Sequence, residues 1–575
     1  MPPRPKRWLI APRAPQEYLS QFTNLNPLVA QILYNRGVAG RADATLFLGG
    51  QEESANPFAL PDMSMAVNRI RRALREAEPM AVYGDFDADG VTATALLVQT
   101  IEALGGCVLP YIPDRVDEGY GLNEGALREL AEKGVTLVIT VDCGIRARDQ
   151  VSAARGLGVD VVITDHHAPT GAVPDAVAVV GHGTGSERSG PGEELAGVGV
   201  AYRLAQALLR SQRQSPINCD HVPLGEEDLL DLVALGTVAD LVPLRGENRS
   251  LVRRGLDCLN RMERPGLRAL CRQVGLRPGS ITARTVGYVL GPRLNAAGRL
   301  SKAHVAYGLL TTSDPAEAQR LAVRLDGLNR ERRRVTKEAH DLARRQIESA
   351  SDDGALLFAA SPQFPLGVVG LVASRLLDEF YRPSVVVRID DDMCRGSCRS
   401  VEGFHITNAL DGCRDLLFRH GGHAAAAGFR VRRQDLGALE DRLRGIAAAR
   451  LRDEDLQPML RADAEVSLSE MTWDLLEALS ALEPCGSGNT APIFVSRGVR
   501  VREPRAVGRD GSHLKLTLSD GRAAWDAIAF RQGAWAGHLP PVIDVAYHLE
   551  LNEWRGRRRL QLNVQDLRPA EPESR

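Results

Sequence analysis

The chain has 575 residues, 44% of them apolar and 25% charged, with a formal net charge of −2. That length is more than one core holds, so several domains are expected, and the composition excludes a disordered chain. The near-neutral balance excludes a polyanion-binding surface spread over the whole molecule; any such surface must be local.

Residues 1–60 read as an irregular arm with short helices over 27–35 and 43–48. The stretch Met1 to Pro15 is basic and Pro-rich without the apolar core of a signal peptide, and no apolar run is long enough to span a bilayer. The nine cysteines are dispersed and form no Cys-x-x-Cys pair. That argues against zinc and fits reduced thiols in a cytoplasm. Met65, Val67, Ile70 and Leu74 give helical periodicity over 62–76.

From Met80 strands and helices alternate. Strands are predicted over 80–83, 107–112, 135–141, 159–164 and 175–180. Helices are predicted over 91–104, 123–133 (with Asn123 as cap) and 146–156. This alternation predicts an α/β domain with a mostly parallel, doubly wound sheet. Residues 181–194 are Gly/Ser-rich and read as a loop. Helices follow over 195–210 and 227–240, then a helical region to about Leu310. Asp314-Pro-Ala-Glu317 is a helix start with an Asp cap and Pro at the first position. Apolar residues at 318, 321, 325, 328, 335, 339, 342 and 347 then line one face of a long helix. Its other face carries Arg330, Arg332, Arg333, Arg334 and Lys337. That face reads either as the solvated side of a connector or as a basic wall beside a nucleic-acid channel.

A second α/β unit is expected from 355 to about 450: strand 355–360, helix 367–379, strand 384–389, helix 404–418, then a Gly-rich turn at Gly421-Gly-His423. A third unit begins near Leu460. Its strands over 492–501, 513–519, 523–530, 542–551 and 559–567, with hairpin signals at Asp520-Gly521 and Arg555-Gly556, suit a small barrel of the OB type. Trp525, Phe530 and Trp554, beside Arg522, Arg531, Arg555 and Arg557 to Arg559, suit a single strand of nucleic acid. The aromatics could equally be barrel core and the arginines a solvated hairpin. The expected domains are 1–60, 61–312, a connector over 313–352, 353–452 and 455–570.

The chemistry gathers at strand ends. Asp85, Asp87 and Asp89 follow the first strand, and Gly90 permits a sharp turn before a helix at Val91. Asp142 follows the third strand and Asp165-His166-His167 the fourth; Asp240 closes a later helix. Bunched carboxylates repel unless a cation neutralises them, and hard oxygen donors suit Mg²⁺ or Mn²⁺. Taken alone, the first stretch could be an acidic surface turn or a calcium loop. An Asp-His-His run at a strand end is harder to place without a partner, because crowding such groups costs free energy. Four Asp and one or two His could hold two divalent ions, and mixed O/N donors lean toward Mn²⁺ with Mg²⁺ also suited. Two such ions can activate water and stabilise an in-line displacement at phosphorus.

Asp85-Phe-Asp-Ala-Asp-Gly90, Val141-Asp-Cys-Gly144, Thr164-Asp-His-His167 and Gly236-Thr-Val-Ala-Asp-Leu-Val-Pro243 resemble the four motifs of the DHH phosphoesterase superfamily. Tyr120-Gly-Leu122, Leu195-Ala-Gly-Val-Gly-Val200, Gly291-Pro-Arg-Leu-Asn-Ala-Ala-Gly-Arg299, Gly396-Ser-Cys-Arg-Ser400, Gly421-Gly-His-Ala424 and Glu483-Pro-Cys-Gly-Ser-Gly-Asn489 further resemble its RecJ family of single-strand-specific exonucleases. The resemblance runs from Met80 to about Leu567. It implies a DHH domain, a DHHA1 domain joined to it by the long helix, and a C-terminal OB barrel. It implies metal ligands at Asp87, Asp89, Asp142, His166 and Asp240, with Asp85, Asp165 and His167 supporting them or touching substrate. It implies that Ser397, Arg399, Ser400 and His423 grip a 5′ end, that Arg293, Asn295 and Arg299 line the strand's path, and that Arg115 reaches a phosphate. Three departures stand out: Phe364-Pro365 where relatives often have Trp-His, Tyr83 where the wider superfamily has His, and Gly181-His182 where many relatives have Asn-Pro.

The expected activity is metal-dependent 5′→3′ exonuclease cleavage of single-stranded DNA to 5′-mononucleotides, in repair and recombination. The resemblance also suggests a single-strand-binding protein and a helicase as partners. Two alternatives share the motifs: a phosphodiesterase for cyclic dinucleotides or short oligonucleotides, and a non-catalytic strand-binding scaffold.

Overall fold

A computed structural model describes residues 6–49, 56–169, 171–181, 194–217, 224–349, 354–554 and 556–570. His182 and most of the expected 181–194 loop lie outside these residues, as does Arg555.

The strands in chain order are β1 (Arg7–Ile10), β2 (Met80–Tyr83), β3 (Val108–Tyr111), β4 (Leu137–Val141), β5 (Asp160–Asp165) and β6 (Ala178–Gly181). They continue with β7 (Leu357–Ser361), β8 (Ser384–Arg388), β9 (Met393–Arg399), β10 (Leu417–His423), β11 (Ala426–Arg432), β12 (Met459–Ala462) and β13 (Ala464–Glu465). The last are β14 (Phe494–Val507), β15 (His513–Ser519), β16 (Ala524–Ala529), β17 (Val542–Trp554) and β18 (Arg557–Pro569).

The first sheet is parallel, in the order β3-β2-β4-β5-β6. Successive side chains of a strand point to opposite faces, and here both faces are covered. Val82, Ile139 and Val162 pack in one apolar core with the helices Met63–Glu76, Ala88–Ala103 and Gly197–Gln214. Ala81, Tyr83, Val138 and Ile163 pack in another with the helices Glu124–Glu132 and Arg148–Gly156. The chain leaves β2 for β3 on one side and returns to β4 on the other. The mouth between β2 and β4 is therefore a switch point, where open α/β sheets hold ligands.

The helix Pro315–Ser349 leads to a second sheet, β10-β11-β9-β8-β7, whose only parallel pair is β7 with β8. Its start is as expected: Asp314 accepts from the amides of Ala316 and Glu317. Arg334 is neutralised by Glu331 and Glu338 on its own helix, so that part of the basic face is a solvated one. The five strands β14 to β18 close into a barrel through the β14–β17 pairing.

Three local expectations need correction. The helix expected at Val91 begins at Ala88, because the Asp87 carboxylate accepts the amides of Asp89 and Gly90 and caps it. Gly90 is not a turn but a close contact: a Cβ there would lie 2.6 Å from the Asp85 amide nitrogen. The helix expected over 404–418 is only Ile406–Asp411, and Gly421-Gly-His423 is the end of strand β10. Pairing with β11 (Gly421 opposite Gly428) overrides the local glycine signal, and β9 and β11 complete an antiparallel ribbon with no expected strand. The 1–60 arm is less irregular than its sequence suggests. Its β1 pairs in parallel with β12, and Tyr18, Phe22, Val29, Ile32 and Leu33 share one apolar core with the barrel.

Candidate active site

The acids meet at the switch point. Asp85, Asp87 and Asp89 follow β2, Asp142 follows β4 with a left-handed φ of 61°, and Asp165 ends β5. Asp240 caps the C-terminal end of the helix Leu230–Ala239. That helix reaches the site because Gly236 packs against it without a side chain. A Cβ there would come 2.4 Å from Thr92 Oγ1 and 2.7 Å from Asp89 Oδ1. Both Asp89 oxygens accept backbone amides, from Gly197 (2.7 Å) and Val198 (2.9 Å), at the N-terminus of the helix Gly197–Gln214.

His166 Nε2 lies 3.2 Å from Asp142 Oδ1 and 3.6 Å from Asp240 Oδ2. His167 Nδ1 lies 2.8 Å from Asp165 Oδ1, and the Tyr120 hydroxyl is 3.1 Å from the same ring nitrogen. Asp165 also accepts the Ile145 amide. Burial pushes Asp165 up, but the His167 bond and charge and the two amides outweigh it, so it sits below the usual carboxylate range. His167 is displaced upward: burial lowers it and Asp165 more than offsets that. The two form an ion pair, with the carboxylate buried and the imidazole partly exposed, that orients the ring.

The other carboxylates go the opposite way. Burial first, then Asp87, pushes Asp85 up to about 8 and Asp89 to about 7. Burial and then Asp89, Asp87 and Asp85 push Asp240 to about 9. Asp142 is raised well above its ordinary value by burial and then by Asp89, Asp87 and Asp85. Asp85 Oδ1 is buried with no hydrogen-bond partner among the described residues. Donor atoms fall into three sets, each within 4.8 Å: Asp142 with His166 and His167, Asp89 with His166 and Asp240, and Asp85 with Asp87 and Asp142. Packed carboxylates that resist ionisation, an orphaned oxygen and imidazole nitrogens beside them fit divalent Mn²⁺ or Mg²⁺.

A set of guanidinium groups stands next to this acid pit. Arg115 lies 3.8 Å over the Phe86 ring and donates to Gly298 O, with Asp85 and Asp87 as its charged neighbours. Arg299 is pushed down by burial and then by Arg115 and Arg332, with Arg399 also near. Arg332, on the helix Pro315–Ser349, is pushed down by burial and by Arg333 and Arg375. The Nε atoms of Arg299 and Arg332 are buried with no hydrogen-bond partner among the described residues. Arg399 donates to Ser397 Oγ (3.2 Å) and Cys398 O (2.7 Å). His423, at the end of β10, is lowered by partial burial and then by Arg399, His405, Arg146 and His167. Crowded cations thus stand beside crowded anions at this mouth.

Models of three families match in order: the DHH family N-terminal domain over 79–237, the DHHA1 domain over 353–449 and the RecJ OB domain over 462–566. The single-stranded-DNA-specific exonuclease RecJ of Bacillus subtilis is 38% identical over 573 residues, covering 98% of this chain and 71% of that protein. The chain belongs to the RecJ family. The RecJ of Thermus thermophilus is 35% identical over 530 residues, covering 91% of this chain and 73% of that protein. The crystal structure of RecJ in complex with Mn²⁺ from Thermus thermophilus superposes with a TM-score of 0.84 at 31% identity, covering 98% of this chain and 80% of that one. The complex with Mg²⁺ gives 0.78 at 30% identity, covering 99% and 79%.

Within this RecJ-family site several expected strand contacts have partners of their own. Arg293 is paired with Asp326 (3.0 Å) and donates to Val289 O. The Asn295 side chain accepts the Ala88 amide, which fixes the Asp85–Asp89 segment. The Ser400 hydroxyl donates to Phe404 O. Tyr120, from the Tyr120-Gly-Leu122 stretch, and Arg332, from the basic face of the long helix, join the site although neither is among the expected site residues. The departures from family pattern are accommodated: Phe364 fills an apolar core, and Tyr83 is buried against Tyr111 and donates to Gly121 O. In the barrel, Trp525 packs on the core and donates to Leu468 O, while Phe530 is exposed.

Proposed function

We infer that this RecJ-family chain is a metal-dependent exonuclease that hydrolyses single-stranded DNA from its 5′ end to 5′-mononucleotides. The observation that carries it is the juxtaposition of the Asp85–Asp240 acid pit with the half-buried Arg115, Arg299, Arg332 and Arg399. Asp87, Asp89, Asp142, His166 and Asp240 would hold two ions, with Asp85 within reach of Asp87 and Asp142. Bound there, the cations supply an activated water and offset the charge of an in-line displacement at phosphorus.

The chain's own residues bind and orient. Arg115 and Arg299 meet the phosphate at the scissile position with charge-assisted bonds. Asp165 fixes the His167 ring through Nδ1, leaving Nε2 as the ring nitrogen able to meet substrate or a proton. Ser397, Arg399 and His423 hold the 5′ end, and β9 and β10 that carry them set the step length. The exposed Phe530 and the basic barrel surface take the strand beyond the site.

A cytoplasmic location, and work beside a helicase and a single-strand-binding protein in repair and recombination, belong to the same proposal. They are supported by family resemblance and by eight free cysteines among the described residues. Also among these residues, no helix is long and apolar enough to cross a membrane. The test is a competition among single-stranded DNA, blunt duplex, single-stranded RNA and a cyclic dinucleotide with Mn²⁺ present. The reading requires single-stranded DNA to be cleaved in preference to the other three; preferred turnover of the cyclic dinucleotide would replace it.

A further inference from the structure

The first turn of the helix Gly246–Arg261 joins three bodies. Asn248 is 2% exposed, and its Nδ2 donates to Pro243 O (3.1 Å) and to Glu194 O (2.5 Å). Pro243 lies on the segment leaving Asp240. Glu194 lies just ahead of the Gly197 and Val198 amides that hold Asp89. The next residue, Arg249, is also buried. It donates to Phe47 O (2.8 Å), Pro484 O (3.0 Å) and Glu483 O (2.8 Å), and it stacks on the Phe47 ring at 4.1 Å. Phe47 packs against the core that the N-terminal arm shares with the barrel.

The segment 483–489 also touches the Asp240 segment directly. The Leu244 amide donates to Ser487 O (2.8 Å) and Arg245 Nε to Gly488 O (2.8 Å). A Cβ at Gly488 would come 2.8 Å from Pro243 Cβ. Asn489 holds this segment in shape by donating to Leu482 O and Pro484 O. Asp240 itself ends its helix, and Leu241 after it has a left-handed φ of 64°. The Asp240 amide still bonds to Gly236 O (2.9 Å), so the last helical turn and the contacts that hold 241–244 together fix where the carboxylate points.

We propose that Asn248, Arg249 and the segment 483–489 are positioning residues for Asp240 and Asp89, so that the cation affinity of the catalytic domain depends on docking of the barrel body. The proposal rests on the reading of Asp89 and Asp240 as metal ligands. Small divalent ions demand close oxygen geometry, and supporting residues one step behind the ligands commonly change affinity by about 10- to 100-fold.

The test titrates Mn²⁺ into the full-length protein without DNA and reads free Mn²⁺ by electron paramagnetic resonance. Two glycines of the barrel body make a matched pair. Gly488 (φ +69°) would press a Cβ on Pro243, whereas Gly498 (φ +60°) has nothing within 4 Å of its Cβ position. Both substitutions to Ala carry similar backbone strain. Gly488→Ala and Asn248→Ala are expected to weaken Mn²⁺ binding about tenfold or more, with Gly498→Ala unchanged. Equal affinity, within twofold, for Gly488→Ala and Gly498→Ala would overturn the proposal, since both are read on the barrel side, away from the metal. Asp240→Asn separates the two levels: if it binds Mn²⁺ like the unaltered chain, the ligand assignment itself fails. If Asp240→Asn loses affinity while Gly488→Ala does not, the coupling alone fails.

Discussion

His166 Nε2 lies 3.2 Å from Asp142 Oδ1 across the mouth between β4 and β5. Each offers a donor atom to the same small space, and Asp142 is held there by a left-handed backbone that only the tight turn after β4 demands. Asp142→Ala is expected to reduce cleavage by roughly 10³-fold, because charge stabilisation at the reacting phosphorus is lost. Binding of a single strand in the presence of EDTA, followed by fluorescence anisotropy, should stay within a few-fold. Retained turnover would remove Asp142 from the ligand set.

The carboxylates also set a pH dependence. Asp89, Asp85 and Asp240 stand at about 7, 8 and 9 in the metal-free protein, raised by burial and then by their acidic neighbours. An unfolded chain releases these protons near about pH 4. The native state therefore binds more protons between pH 4 and 9, and stability of the metal-free protein falls as pH rises through that window. A divalent ion displaces the protons, so Mn²⁺ affinity is expected to rise from pH 6 to 9 with net proton release. Calorimetry in buffers of different ionisation enthalpy reads the release directly; no released protons at pH 7 would contradict the charge state assigned to the site.

On the proposed reading Arg399 recognises the 5′ end. It is half-buried, and the helix Val369–Phe380 approaches so closely that a Cβ at Gly370 would lie 3.1 Å from its Nη2. A hydrogen bond to a charged partner is worth about 1.5–3 kcal/mol, so Arg399→Ala should lower preference for 5′-phosphorylated over 5′-hydroxyl strands by roughly 10- to 100-fold. Rates on the two strands, measured side by side, give the ratio. An unchanged preference would place the 5′-phosphate elsewhere.

The barrel cannot be removed alone. Tyr18, Phe22, Val29, Ile32 and Leu33 of the N-terminal arm lie in the same apolar core as Phe494, Leu516 and Tyr547 of the barrel. Deleting 455–575 would leave those arm residues as an exposed apolar patch, and such patches drive association. That truncated chain is expected to aggregate, by size-exclusion chromatography, whereas a chain lacking 1–49 as well should be monodisperse. Monodisperse behaviour of the first truncation would show that the arm does not depend on the barrel.

What was legible in the sequence was what local pattern dictates. The runs at Met80 and Leu137 announce buried strands, and the acids directly after them had to fall at the sheet's mouth. Asp165, His166 and His167 needed no more than their place at a strand end. The structure adds what depends on distant partners. Asn295 is polar and lies among strand-binding positions, yet its side chain serves the Ala88 amide. Arg332 is one of several arginines on a helix face that reads either as solvated or as a basic wall; only the packing of that helix against Arg299 sets it apart. The glycines at 421 and 422 read as a turn because the strand that pairs with them could not be seen locally. The union of arm and barrel rests on side chains more than 400 residues apart in sequence, such as Asn35 donating to Asp463. No periodicity encodes such a contact.

On the proposed reading the acid pit would hold the divalent cations that cleavage of a single strand from its 5′ end requires. A single-stranded DNA labelled at its 3′ end, incubated with the full-length protein and Mn²⁺, tests it most directly. The account predicts a ladder of labelled strands shortening from the 5′ side, unlabelled 5′-mononucleotides, and no cleavage when EDTA replaces Mn²⁺. Immediate release of the label as a mononucleotide, or the same ladder in EDTA, would contradict it.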